Sequence, residues 1–195
     1  MPDLTLDPAF RIRRATLDDC AHLAEIGRET FADSFGADNT PEDMAAYLSG
    51  AFGAERQRVE LAEPDSAFLL LEAGGTTAGY ARIRRVPAPA SVPYHRPMEI
   101  VRFYARKAWI GKGVGARLMQ ACLDAARDEG CDGTWLAVWD RNARAIAFYE
   151  KCGFRRVGTQ SFRLGADLQR DLVMARALQP SAGPAAGATP SPSAR

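Results

Sequence analysis

Histidine is almost missing from this sequence, with only His22 and His95 in 195 residues. The four cysteines, Cys20, Cys122, Cys131 and Cys152, are scattered, and no pair has CxxC spacing. That ligand supply argues against a zinc site, and no metal is expected. The thiols are expected to be reduced, with Cys122 packing on the apolar face of a helix. An excess of either charge is also lacking. Lys and Arg number 25 against 24 Asp and Glu, a net +1. Such a balance gives no reason to expect nucleic acid or an anionic membrane as a partner. No apolar run approaches the roughly 20 residues that span a bilayer. The start, Met1-Pro2-Asp3, carries acid where a signal peptide carries base, and no apolar stretch follows. A cytoplasmic protein is expected.

What is present is ordinary for a globular protein: 47% hydrophobic and 25% charged residues, in a length that suits one domain with a substantial core. From position 180 onward the chain is almost entirely Pro, Ala, Gly and Ser. Such a stretch cannot bury enough apolar surface to offset its ordering entropy. The expected organisation is a short lead over 1–9, one domain over 10–178 and a disordered tail over 179–195.

Hydrophobic periodicity and turn residues divide the domain. A first strand is expected over 10–13. Thr16 and Asp19 resemble a capping box, opening a helix with Leu17, Cys20, Leu23 and Ile26 on one side. Thr40-Pro41-Glu42 starts a second helix carrying Met44, Tyr47 and Leu48. Strands are expected over 67–71, 78–86 and 98–106, the first two joined by a turn at Gly74-Gly75-Thr76. Val114, Leu118, Ala121, Cys122 and Ala125 mark a helix stopped by Gly130. A strand over 134–139, a helix over 142–151 ended by Gly153, and strands over 154–157 and 171–175 complete the chain. The expected class is α/β, a mixture of helices around a mixed sheet. Arg82, Arg84 and Arg85 share one strand and are expected on a solvated face. Trp109, Trp135 and Trp139 are expected to pack in the core or beside a cofactor.

The segment Gly111-Lys112-Gly113-Val114-Gly115 carries the strongest chemical signal. Its glycines let backbone N–H groups approach a ligand closely. It opens a helix, whose first turn has unpaired N–H groups and partial positive charge. Both features suit a phosphate or diphosphate, and Lys112 adds charge nearby. A P-loop needs Ser or Thr after the Gly-Lys pair, and Gly113 stands there instead. Gly111, Gly113 and Ala116 do fit the spacing of a dinucleotide fingerprint, and Asp140 fits its ribose-binding acid. Residues 106–110, however, separate the strand from the glycines. A turn shaped by glycines for purely structural reasons is a third alternative.

Glu99-Ile100-Val101-Arg102-Phe103-Tyr104-Ala105, followed by Trp109-Ile110-Gly111-Lys112-Gly113-Val114-Gly115-Ala116-Arg117-Leu118-Met119, resembles motif A of the GCN5-related N-acetyltransferases (GNATs). Trp139-Asp140-Arg141-Asn142-Ala143-Arg144-Ala145-Ile146-Ala147-Phe148-Tyr149-Glu150-Lys151-Cys152-Gly153-Phe154 is similar to the family's motif B. Ile110 departs from the Gln or Arg that is usual at that place. The resemblance implies a mixed, mostly antiparallel sheet of about seven strands flanked by about four helices and splayed between the fourth and fifth strands. It implies acetyl-CoA as cosubstrate and a small-molecule or peptide amine as acceptor. The pantetheine arm would pair with Phe103, Tyr104 and Ala105. The diphosphate would lie on the amides of Ile110, Gly111, Lys112, Gly113, Val114, Gly115 and Ala116. Asn142 would hydrogen-bond the pantetheine, Phe148 and Tyr149 would line the thioester end, and Ala145 would also meet the cofactor. A non-catalytic acyl-CoA-binding module is the alternative from another class. A homodimer is left open.

Amide formation from a thioester needs a neutral amine, a stabilised carbonyl oxygen and a protonated leaving thiolate. An alkyl amine has a pKa of about 10.4, so on the order of one molecule in a thousand is uncharged near neutrality. A base, or a water chain leading to one, therefore helps. By the resemblance Tyr149 is the candidate general acid, with an amphipathic aromatic of the core as its structural alternative. It lies two helical turns after Asn142, on the same face. Glu99, among Met98, Ile100 and Val101, is the candidate base, with pairing to Arg82 or Arg84 as its structural alternative. Asn142 is also a favoured helix N-cap. The layout is similar to that of bacterial spermidine/spermine-type N-acetyltransferases, and Asp33, Asp38, Glu42 and Asp43 are candidates to meet a polycation.

Overall fold

The computed structural model describes residues 10–179. The lead expected over 1–9 and the tail, save Gln179, lie outside the described residues.

Seven strands form one mixed sheet: β1 (Arg11–Arg14), β2 (Ser66–Ala73), β3 (Thr76–Arg84), β4 (Pro97–Ala105), β5 (Gly133–Trp139), β6 (Arg155–Leu164) and β7 (Asp167–Ala177). Their spatial order is β1-β2-β3-β4-β5-β7-β6. Every neighbouring pair is antiparallel except β4 and β5. Five α-helices are present among the described residues: α1 (Cys20–Phe35), α2 (Pro41–Ala51), α3 (Ala54–Ala62), α4 (Val114–Asp128) and α5 (Ala143–Lys151). The order is strand, three helices, three strands, helix, strand, helix, two strands, one helix more than the sequence suggested.

The extra helix is α3, Ala-Glu-Arg-Gln-Arg-Val-Glu-Leu-Ala. It lacks an apolar stripe because it buries polar residues. Gln57 and Glu60 are both fully buried, and Val59 faces outward, half exposed. Glu60 meets three arginines: Arg82 at 3.0 Å, Arg102 at 2.6 Å and Arg56 at 2.8 Å. The expectation that Arg82 lies on a solvated face is therefore wrong. Arg82 is 1% exposed, its charge balanced by Glu60 and by Glu63 at 2.5 Å. Arg84 also points to a partner, Glu99, while Arg85 pairs with Asp65 near the surface.

Other differences are smaller. The first helix begins as a 3-10 turn (Leu17–Asp19), in which Asp19 accepts the Thr16 N–H at 2.8 Å. That turn points Leu17 outward, 51% exposed, while Cys20, Leu23 and Ile26 are buried as expected. β6 and β7 run longer than their apolar stretches suggest because they form a hairpin around Gly165, with a mostly exposed edge strand alternating outward. α4 follows its sequence pattern closely. Val114, Leu118, Met119, Cys122, Leu123 and Ala126 are buried against the sheet, each large side chain contributing roughly 1.5–3 kcal/mol.

The feature that positions the site is the short parallel contact. β4 pairs with β5 only at Pro97, Met98 and Glu99, opposite Gly133, Thr134 and Trp135. Beyond Glu99 the two strands diverge, while β4 stays paired to β3 as far as Ala105. One edge of residues 100–105 is thus left without a strand partner.

Candidate active site

A cleft of about 680 Å³ occupies this fork. One wall is built by β4, the glycine turn and α5; the other by aromatic side chains of α1, α2 and the β6–β7 hairpin.

The glycine turn has distinct local causes at each position. Gly111 and Gly113 both have φ of +81°, a conformation that a side chain disfavours. Gly115 has no such need. A Cβ there would come within 3.2 Å of the Phe148 ring, so its absence lets α5 lie close against the first turn of α4. The amides divide into two sets. Ile110 N–H is directed to Lys107 O at 3.3 Å, and Lys112 N–H to Trp109 O at 3.2 Å. The N–H of Arg117 closes the first helical bond, to Gly113 O. Among the described residues, no backbone acceptor takes the N–H groups of Gly111, Gly113, Val114, Gly115 and Ala116. These are the orphan donors of a helix start, extended by one glycine. Ile110, Gly111, Gly113, Gly115 and Ala116 line the cleft. Val114 sends its side chain into the core and offers only its backbone. The Lys112 ammonium lies 5.4 Å from the Trp109 ring centroid.

On β4, Phe103 and Ala105 turn toward the core beneath α4, and Phe103 stacks on Phe148 at 5.6 Å. Tyr104 turns the other way, toward Phe31 and Tyr80. Burial pushes the Tyr104 phenol well above its usual range. The free edge between these residues has the spacing of a strand awaiting a partner.

At the start of α5, Asn142 caps the helix, its Oδ1 accepting the Ala145 N–H at 3.1 Å. Asn142, Ala145, Phe148 and Tyr149 all line the cleft. Tyr149 is 8% exposed and packs its ring edge-on against Phe103, Phe148 and Phe154. Burial raises its phenol, with smaller contributions from Cys122 and Cys152, so the proton stays on oxygen throughout the neutral range.

Glu99 stands at the vertex of the fork, opposite Arg84 on β3 and Trp135 on β5. Its Oε2 accepts from Arg84 Nε at 2.6 Å. Of the two roles weighed for it from the sequence, the pairing with Arg84 is therefore present, and both residues line the cleft. Phe103 lies four residues further along β4, roughly 13 Å away at strand rise.

Sequence reasoning did not find Asp171. It lies on β7 opposite Trp139 and lines the cleft. Its only signal is one acid ahead of the apolar run Leu172, Val173 and Met174. By contrast, Asp33, Asp38, Glu42 and Asp43 are not among the lining residues. Asp43 instead holds the β6–β7 turn, its Oδ1 accepting the Ala166 N–H at 2.6 Å.

Residues 28–154 match the profile described as the acetyltransferase (GNAT) family. The chain belongs to the GNAT family. It is 34% identical over 168 residues to an uncharacterized N-acetyltransferase in pepI 3'region of Lactobacillus delbrueckii subsp. lactis, covering 86% of this chain and 97% of that one. An uncharacterized N-acetyltransferase of Mycobacterium tuberculosis is 33% identical over 162 residues, covering 83% and 99%. Among solved structures, the PaiA N-acetyltransferase from Thermoplasma acidophilum in complex with coenzyme A superposes with a TM-score of 0.70 at 20% identity, covering 87% and 99%. That likeness concerns the fold. As a GNAT, the protein is an acetyl-CoA-dependent acyltransferase. Among the described residues no group of His, Cys, Asp and Glu could hold a metal, and no helix is long and apolar enough to cross a membrane.

Proposed function

We propose that the protein transfers the acetyl group of acetyl-CoA to a primary amine by direct attack, with the donor lying along the open edge of β4. The observation that carries this reading is the set of unpaired amides at Gly111 and residues 113–116, at the mouth of the same cleft that the fork of β4 and β5 opens. When bound, acetyl-CoA supplies an activated acyl carbon and a thiolate leaving group.

The amides of the turn and the dipole of α4 hold the diphosphate, which suits a ligand of two adjacent negative charges. The edge of Phe103, Tyr104 and Ala105 pairs with the pantetheine arm. It also presents an N–H donor to the thioester carbonyl oxygen, where negative charge grows during attack. Asn142 donates its carboxamide N–H to the same arm, and Ala145 and Phe148 exclude water beside it. Ile110 and Lys112 contribute position more than hydrogen bonds, since their own amides face turn carbonyls.

Tyr149 is the proton donor to the departing sulfur. A thiol pKa of about 8.5 lies below that of a raised phenol, so complete proton transfer is uphill. The contribution is a short hydrogen bond that stabilises the thiolate as it forms. Glu99 takes the amine proton through water, because its ion pair with Arg84 and its place at the vertex hold it away from Phe103. The finer proposal is a polyamine acceptor. Its support comes from the cleft carboxylates Glu99 and Asp171, because the surface acids of α1 and α2 do not line the cleft.

Thiol release from acetyl-CoA, measured across polyamines, aminoglycosides and peptides, tests the reading. Release with at least one amine is expected. Tyr149→Phe should lower kcat about a hundredfold while keeping the rise in melting temperature on adding CoA. CoA binding with no release on any amine would favour the non-catalytic module, and an unchanged kcat would remove Tyr149 from its role.

A further inference from the structure

Three carboxylates line the cleft: Glu60, Glu99 and Asp171. Glu60 is surrounded by Arg56, Arg82 and Arg102. Glu99 is held by Arg84 at 2.6 Å. Among the described residues, Asp171 alone of the three has no arginine or lysine partner. It is 7% exposed, and its buried Oδ1 has no hydrogen-bond partner among the described residues. A buried carboxylate oxygen without a donor is costly and calls for a reason.

Its position gives one. Glu99 and Trp135 face each other at the vertex of the fork. Four residues on from that pair, β4 reaches Phe103 and β5 reaches Trp139, and Asp171 is the register partner of Trp139. Asp171 is therefore level with the segment of β4 assigned to the thioester, whereas Glu99 lies roughly 13 Å back. Strand alternation fixes the face. Leu172 and Met174 pack in the core with α4 and α5, while Val173 and Ala175 lie on the opposite face. Asp171 shares that second face with Val173, the side on which Phe31, Phe35, Tyr47 and Phe162 wall the cleft.

We infer that Asp171 is the anchor for the cationic head of the acceptor, and that the protein selects amines that are charged at neutral pH. This rests on the reading of the cleft as an acetyl-transfer site and narrows its acceptor class. An ammonium brings three donors to an acid that lacks one, and the reacting nitrogen gives up its proton through water to Glu99 before it attacks. The aromatic wall favours the same ligand, since ring faces attract a cation. The titratable groups around the carboxyl are Asp140, at the end of β5, and Tyr47 of α2. Asp140 is itself paired with Arg170 at 2.7 Å, so it does not compete for the ligand. Burial first, then the like charge of Asp140, raises the Asp171 carboxyl to about 6, and an arriving ammonium would restore its charge.

The test compares wild type with Asp171→Asn and Asp171→Glu, using acetyl-CoA with butylamine, 1,4-diaminobutane and aniline, which is uncharged at neutral pH. Asp171→Asn should raise KM for the two alkylamines roughly tenfold or more and change kcat less than about threefold. It should leave KM for aniline and the melting response to CoA unchanged. Asp171→Glu should recover part of the alkylamine KM. Unchanged alkylamine KM, or equal losses for aniline, would overturn the inference. If wild type turns over none of the amines, the acetyl-transfer reading fails on its own, and calorimetric binding of butylammonium decides the anchor. Weaker binding by tenfold in Asp171→Asn supports it. Equal binding in the two proteins, or none to wild type, rejects it.

Discussion

Asp171 carries a stability signature as well as a binding role. Its carboxyl is raised from 3.8 to about 6 in the folded protein, so between those values the folded state holds more proton than the unfolded one. Stability contributed by this group is therefore present below about pH 4 and is lost as pH rises toward 6. Asp171→Asn should consequently be more stable than wild type above pH 6, by about 1–2 kcal/mol after allowing for solvent in the cleft, and the gap should close near pH 4. Urea midpoints at pH 4 and 7.5 check this; a constant difference would contradict the assigned burial. Other residues of the site were legible because their chemistry repeats in a local string. Gly111, Gly113 and Gly115 announce a stripped helix start, and Asn142 and Tyr149 stand two turns apart on one helix. Asp171 announces nothing locally. Its meaning comes from being opposite Trp139, a pairing made across more than thirty intervening residues and set by sheet order rather than by either strand alone.

Among elements, α3 shows where hydrophobic patterning stops working. α4 was readable because its buried residues recur at three- and four-residue spacing and all are apolar. α3 buries Gln57 and Glu60 instead, and the reason is found on two distant strands that supply Arg82 and Arg102. A buried glutamate and two buried arginines are tolerable only together, because each alone would be an uncompensated charge. Glu60→Gln should then cost about 3–5 kcal/mol, read as a fall in the denaturation midpoint, whereas Glu63→Gln at the partly exposed end should cost well under half of that. A Glu60→Gln effect below about 1 kcal/mol would show that the arginines find other partners. The same cluster explains why one residue of an arginine-rich strand departs from the solvated face expected of it: Arg82 is inside because α3 brings the acid to it, while Arg85 stays exposed.

At the scale of the whole molecule, the fold is an antiparallel sheet with one fault. Six strand pairings hold it together, and the single parallel one is abandoned after Glu99. The divergence creates an unpaired strand edge, which folded proteins ordinarily cover or protect. Here the cleft hides it, and the glycine turn at its mouth adds unpaired amides of a second kind. In the proposed function a single elongated ligand with an amide-bearing arm and a diphosphate satisfies both defects. The most direct test is a nitrogen-15 amide spectrum of the protein during titration with CoA. The amide resonances of Gly111, Gly113, Val114, Gly115 and Ala116 are predicted to shift further than any others, as donors that gain a charged acceptor. If CoA saturates the protein while those five resonances stay in place, the diphosphate is held elsewhere and the account of the site is wrong.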